Sequence, residues 1–185
     1  MVNLIGINGK IGHGKDTVGT IIQELTSGEW QIKKFAAKLK EVTALLTGVT
    51  AKDLELEKVK SSNLPEIWNK NGLPITYRQM LQWIGTEAMR DNVHENVWVN
   101  SLFADYHLAS KWLVTDMRFP NELKSIQDRG GLTIRVVRDS IISISTHPSE
   151  TGLDEYKFDH VILNNGSLED LTYKVKSMLD KFNIQ

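Results

Sequence analysis

Residues 4–17 read LIGINGKIGHGKDT. The apolar run from Leu4 to Ile7 feeds a loop with glycines at 9, 12 and 14, and Lys15 follows. Val18, Ile21, Ile22 and Leu25 then recur with the period of a helix. Gly9, Gly14 and Lys15 therefore have the G-x-x-x-x-G-K spacing of a P-loop, in the strand–loop–helix context that motif needs. The glycines let the backbone at Ile11, Gly12 and His13 turn its N–H groups inward as an anion nest. The new helix offers free N–H groups and its positive dipole end to the same anion. Lys15 adds a compact charge that can reach β- and γ-phosphates. A glycine turn before a stray lysine would not explain why strand, spacing, lysine and helix agree. The expected ligand is a nucleoside triphosphate.

The motif departs at one place. Ser or Thr ordinarily follows the lysine and lends its hydroxyl to Mg²⁺, whereas Asp16 stands here and Thr17 comes next. A carboxylate also suits Mg²⁺, directly or through water, so the metal role falls to Asp16, to Thr17 or to both, with Asp16 the first choice.

Working outward, 185 residues suggest one domain, large enough to bury a core without staples. A formal net charge of −1 and a pI near 6.5 advertise no basic face for DNA or RNA. With no cysteine there is no disulfide framework and no thiolate metal site. No secretory leader and no bilayer-length apolar run is evident, so the chain reads as soluble and cytoplasmic, without a membrane partner.

Further along, Gln31 to Phe35 reads as a strand, and Ala36 to Leu46 as a helix stopped by Gly48. Thr50 to Lys60 reads as a short charged helix, and Ser61 to Pro74 as a mobile loop. In that loop Asn69-Lys70 resembles the guanine-reading element of GTPases, but Gly72 stands where its aspartate is required. Thr76 with Gln79 forms a capping box opening a helix to about Asp91, and a further helix is expected over Val93 to Ala109, carrying Val97, Leu102 and Tyr106. Lys111 to Thr115 is a strand ending at Asp116. Pro120 fits the first position of a helix through Arg129, stopped by Gly130-Gly131. Leu132 to Val137 and Val161 to Leu163 are strands, and Ser167 with Asp170 caps a last helix. Strands alternating with helices give an α/β fold, a mostly parallel sheet covered on both faces. In such sheets ligands collect at the carboxyl ends of strands, where Lys15, Asp116, Arg118 and Arg138 all fall.

Asp116 is placed to act as a Walker-B-type acid for Mg²⁺, or as a turn acid. Arg118 offers a planar fork to phosphate oxygens, or an ion pair to Glu122. Arg138 could stabilise a transferring phosphoryl group or lie on the surface. Arg78, Gln82, Thr86 and Arg90 are spaced by four, a polar line along one helix, with Met80, Leu81, Ile84 and Ala88 free to face a core. The arginines could clamp a phosphate, and Gln82 or Trp83 could meet a base; a hydrated face with Glu87 pairing Arg90 explains the same residues. His147 and Glu150 in HPSE look site-like, although a His-Pro turn is commonly structural. Trp30, Trp68 and Trp112 read as packing.

The loop ending GKDT, then RQMLQWIGTEAMR, VTDMRFPNE, HPSE and VILNNGSLEDL, in that order, resemble the phage-type deoxynucleoside monophosphate kinases of the P-loop nucleotide-kinase superfamily. The likeness runs over nearly the whole chain. It implies a three-layer α/β/α fold with a five-stranded, mostly parallel sheet, a core of about 1–48 and 111–185, and a helical monophosphate-binding insertion of about 49–110. It implies ATP as donor, Mg²⁺, and transfer of the γ-phosphoryl to a deoxynucleoside 5′-monophosphate. The stretch from Arg78 to Arg90 would then help form the monophosphate site, the turn at Asn165 and Gly166 would lie near the donor adenine, and Arg118 and Arg138 would surround the transferred phosphoryl. No dedicated base is needed, because the acceptor phosphate, with a second pKa of about 6, is largely ionised at neutral pH. Ser61 to Pro74 and Asp139 to Glu150 are the expected moving parts. A homodimer is plausible by family analogy.

Other readings stay open: a P-loop kinase for a coenzyme precursor or phosphorylated metabolite, a kinase for a modified base in DNA, and a nucleotide-binding switch. Near-neutral charge speaks against the second, and the missing guanine motif against the third.

Overall fold

The computed structural model describes residues 2–141 and 147–184. In chain order the elements begin β1 (Leu4–Asn8), α1 (Lys15–Leu25), β2 (Gln31–Lys33), α2 (Ala37–Thr47), α3 (Glu57–Lys60), α4 (Tyr77–Gln82) and α5 (Val97–Phe103). They continue β3 (Trp112–Val114), α6 (Pro120–Gln127), β4 (Leu132–Val137), α7 (Pro148–Thr151), β5 (His160–Leu163) and α8 (Leu168–Lys181). The chain forms two compact units, Met1–Lys34 with Asp105–Gln185, and Phe35–Ala104.

The first unit is built on a five-stranded sheet of order β2-β3-β1-β4-β5, with every neighbouring pair parallel. The central β1 sets Ile5 opposite Leu113 on one side and Leu132 on the other. Alternation along β1 sorts the layers. Ile5 and Ile7 join Val18 and Ile22 of α1 and Leu171, Val175 and Met178 of α8 in one core cluster. Between them Gly6 points the opposite way, toward Ile126 of α6 and Met117. The sheet is thus covered on both faces, which is why its central strands are nearly all apolar. The expected α/β fold with a five-stranded parallel sheet is what the chain adopts. Trp30 and Trp112 are buried, as expected of packing residues. No helix among the described residues is long and apolar enough to cross a membrane.

The second unit surrounds a separate cluster of Leu54, Leu64, Ile75, Tyr77 and Met80, against which Trp68, Leu81, Trp83 and Ile84 pack. It begins at Phe35, and its α2 packs against α4 and α5. Local expectations fail here in informative ways. Thr50 to Lys60 is not one helix. Extended backbone at Leu56 (ψ 126°) separates a 3-10 turn, Asp53–Glu55, from the single turn of α3. Within Ser61 to Pro74, read as a mobile loop, Leu64 is buried, and its N–H donates to Ile75 O at 2.8 Å. The capping box at Thr76 forms as expected, with Gln79 N–H donating to the threonine hydroxyl. After Gln82, however, the helix widens into π turns over Trp83–Arg90, with bonds such as Asp91 N–H to Thr86 O spanning five residues. The helix expected over Val93 to Ala109 shrinks to α5: the His94 ring accepts the Asn96 N–H at 2.9 Å before it, and Tyr106 beyond it stacks edge-on against Trp112.

Candidate active site

The loop between β1 and α1 has the geometry its glycines foretell. Gly14 caps α1 in the left-handed region (φ 94°), and no side chain among the described residues caps the helix. Its first N–H groups, met by no such cap, are of the kind that can receive an anion. The underside of the loop is pinned to the sheet. His13 is buried, its carbonyl accepts from Asn164 Nδ2 at 3.0 Å beyond β5, and its Nδ1 accepts from Arg138 N–H at 3.3 Å beyond β4. Its Nε2 is buried without a hydrogen-bond partner among the described residues. Lys15 is 9% exposed, its Nζ 4.0 Å from Asp16.

Asp16 is tied to β3. Its Oδ1 accepts from the hydroxyl of buried Thr115 at 2.9 Å, and Lys34, just beyond β2, lies 3.4 Å away. This approach depends on Gly19, where a Cβ would fall 2.7 Å from Thr115 Cγ2. Partial burial pushes the Asp16 carboxyl up, but Lys34, Lys15 and the Thr115 hydroxyl together outweigh it and hold the group below its usual value. Thr17 is exposed on the first turn of α1, and Asp116 is half-buried just past β3. Two carboxylates and a hydroxyl are hard oxygen donors of the kind Mg²⁺ takes alongside phosphate oxygens and water, so the residues present fit that ion.

A cavity of about 400 Å³ adjoins the loop, lined among others by Gly9, Lys10, His13, Arg118, Arg138 and Glu150. Arg118 is engaged through both its backbone and its guanidinium. The buried Glu122 carboxylate accepts the backbone N–H of Arg118 at 2.7 Å and of Phe119 at 3.2 Å, closing the start of α6. The Arg118 guanidinium pairs with Glu150 and donates to Ser149 O at 3.1 Å. His147 caps α7, its Nδ1 accepting Ser149 N–H at 3.2 Å. Asn165 exchanges bonds with Asp139, at 2.9 Å to its N–H and 2.6 Å to its carboxylate, and Gly166 lies against the Asp170 side chain. Of the segment from Asp139 to Glu150, residues 142–146 lie outside the described residues.

In the other unit, Arg78 pairs with Glu57, and Arg90 donates to Glu95 O at 3.4 Å. Trp83 packs partly on the cluster with the Lys70 ammonium 4.3 Å above its ring. Gln82 and Thr86 are half-buried. The four-residue line does not continue straight through the π turns, and Ala88, expected to face a core, is exposed. Lys34, Thr115, Asn164 and Glu150 are the site neighbours that sequence reasoning missed or left open. Only Glu150 carried a signal, the odd HPSE turn.

A family model described as deoxynucleotide monophosphate kinase matches residues 30–175. The chain is 29% identical over 192 residues to a candidate deoxynucleotide monophosphate kinase of Acanthamoeba polyphaga mimivirus, covering 96% of each chain. It is 25% identical to the deoxynucleoside-5′-monophosphate kinase of Escherichia phage T5, again covering 96% of each. Against the deoxynucleotide monophosphate kinase of Enterobacteria phage T4, 34% identity extends over 55% of this chain and 44% of that protein. With a match over most of its length, the chain belongs to the deoxynucleotide monophosphate kinase family.

Proposed function

We propose that this protein transfers the γ-phosphoryl group of ATP to a deoxynucleoside 5′-monophosphate, releasing ADP and the deoxynucleoside diphosphate. The observation that carries the reading is the loop at 9–17, with its uncapped α1 N-terminus and buried Lys15, beside a cavity that Gly9, Lys10 and His13 of the loop line together with Arg118 and Arg138. The loop N–H groups, Lys15 and the first turn of α1 hold the donor phosphates, with the turn at Asn165 and Gly166 beside the adenine. Arg118 and Arg138 balance charge on the phosphoryl group in flight. Arg78, Gln82, Trp83, Thr86 and Arg90 bind the acceptor, the arginines at its phosphate and Trp83 or Gln82 at its base. The acceptor oxygen is already ionised at neutral pH, so positioning and charge neutralisation suffice and no side chain need remove a proton.

Asp16, Thr17 and Asp116 would hold Mg²⁺, which supplies charge neutralisation on the phosphate oxygens when bound. The reaction belongs where ATP and monophosphates are pooled, the cytoplasm, and a homodimer is the proposed assembly. A coupled ADP-release assay with ATP, Mg²⁺ and each of the four common deoxynucleoside monophosphates, beside their ribo forms, tests the proposal. Turnover that depends on a monophosphate and vanishes in Lys15→Ala is expected. Nucleotide binding with no acceptor-dependent turnover would leave a binding module in its place.

A further inference from the structure

We propose that Glu150 is a positioning residue for the transfer: its buried carboxylate fixes the Arg118 guanidinium beside the phosphate loop. The inference rests on the role given to Arg118 above. The HPSE turn builds the support locally. His147 caps α7 with its ring, Glu150 N–H closes back onto His147 O at 2.8 Å, and the short helix delivers the Glu150 side chain into the cavity wall. That side chain is only 4% exposed. A carboxylate so buried is tolerated where donors meet both oxygens. Here Oε1 takes the Arg118 guanidinium, and Oε2 faces the N–H of Ile11 in the phosphate loop at 3.4 Å.

Arg118 is consequently held at both ends. Glu122 fixes its backbone through a 2.7 Å bond, while Glu150 and the Ser149 carbonyl fix its fork. A long, rotamer-rich side chain held this way loses little further freedom when it meets a phosphate. The contact to Ile11 is long and its donor uncharged, whereas the contact to Arg118 joins two full charges. The carboxylate therefore acts chiefly on the arginine and only secondarily as a strut beneath the loop.

The test is a double-mutant cycle on kcat and on KM for ATP, with thermal melting as the folding control. Glu150→Ala is expected to lower kcat by about 10- to 100-fold, the scale of a misplaced catalytic group, and to leave KM for ATP within about threefold. Glu150→Gln keeps an oxygen for Arg118 and should lose less. Arg118→Ala should lose at least as much as Glu150→Ala, and the double variant no more than Arg118→Ala alone. Losses that multiply in the double variant, or that fall on KM for ATP with kcat intact, would show a strut and overturn the proposal. A full loss in Arg118→Ala with no effect at Glu150 overturns it while sparing the role of Arg118. An unchanged kcat in Arg118→Ala overturns that role and this proposal together. If Glu150→Ala does not fold, the same cycle run with Glu150→Gln decides.

Discussion

On the proposed function, the loop at 9–17 and the helical unit would bind anions by opposite means. The loop works through its backbone: residues 9–17 turn on glycines, are pinned by Asn164 and by Arg138 N–H, and leave a helix start uncapped. The unit at 35–104 works through long side chains, and these are already engaged, Arg78 with exposed Glu57 and Arg90 with the Glu95 carbonyl. Backbone donors lose little freedom when a phosphate arrives. Side-chain donors must exchange partners first, which makes them weaker and more selective. Substitutions in the loop should therefore remove turnover outright, and those in the helical unit should shift affinity for the acceptor.

The largest effect is expected at Lys15. Lys15→Ala should lower kcat about 10³-fold, the scale of removing a preorganised charge from a phosphoryl-transfer site, with the circular dichroism spectrum unchanged. Next comes Gly14→Ala, since a Cβ there would lie 2.5 Å from Asn164 Nδ2 at a φ of +94°. The left-handed strain alone is roughly 1–2 kcal/mol, so both the melting temperature and ATP binding by calorimetry should drop. In the helical unit Arg78→Ala should raise KM for the monophosphate about tenfold and leave KM for ATP unchanged; an equal rise in both would erase the proposed division of labour. Its counterpart Glu57→Gln removes the exposed competitor and should lower that KM only slightly, as exposed pairs are worth about 0–1 kcal/mol.

The smallest expected effect concerns pH. The Asp16 carboxyl titrates below its ordinary value of 3.8 in the folded chain. Its contribution to stability is therefore full above that ordinary value and fades as pH falls through the lower folded one. The difference between acid melts of Asp16→Asn and the parent should be constant above pH 3.8 and shrink as pH falls below it, toward zero beneath the lowered folded value; a difference that grows toward acid would reverse the sign.

The same contrast governs what the sequence makes legible. The phosphate loop, the Thr76–Gln79 box, Pro120 at the head of α6 and Ser167 at the head of α8 are local signals, each complete within a few residues, and each forms. Trp83–Arg90 carries good helical periodicity yet widens into π turns, with Trp98 Nε1 donating to Gly85 O at 2.9 Å inside that stretch. That partner lies thirteen residues away, beyond any local pattern. Lys34 reaching Asp16 and Glu150 reaching Arg118 are likewise products of the sheet order, which sequence spacing does not display. Arg118 shows the point most plainly, because its near neighbour Glu122 takes the backbone and a distant one takes the guanidinium.

The most direct test of the central claim follows the phosphorus itself. With γ-³²P-labelled ATP, Mg²⁺ and one deoxynucleoside monophosphate at a time, chromatography should find the label in the matching diphosphate, and Lys15→Ala should leave it in ATP. Label recovered only as inorganic phosphate, at a rate indifferent to every monophosphate, would contradict the transfer and with it the roles assigned to both regions.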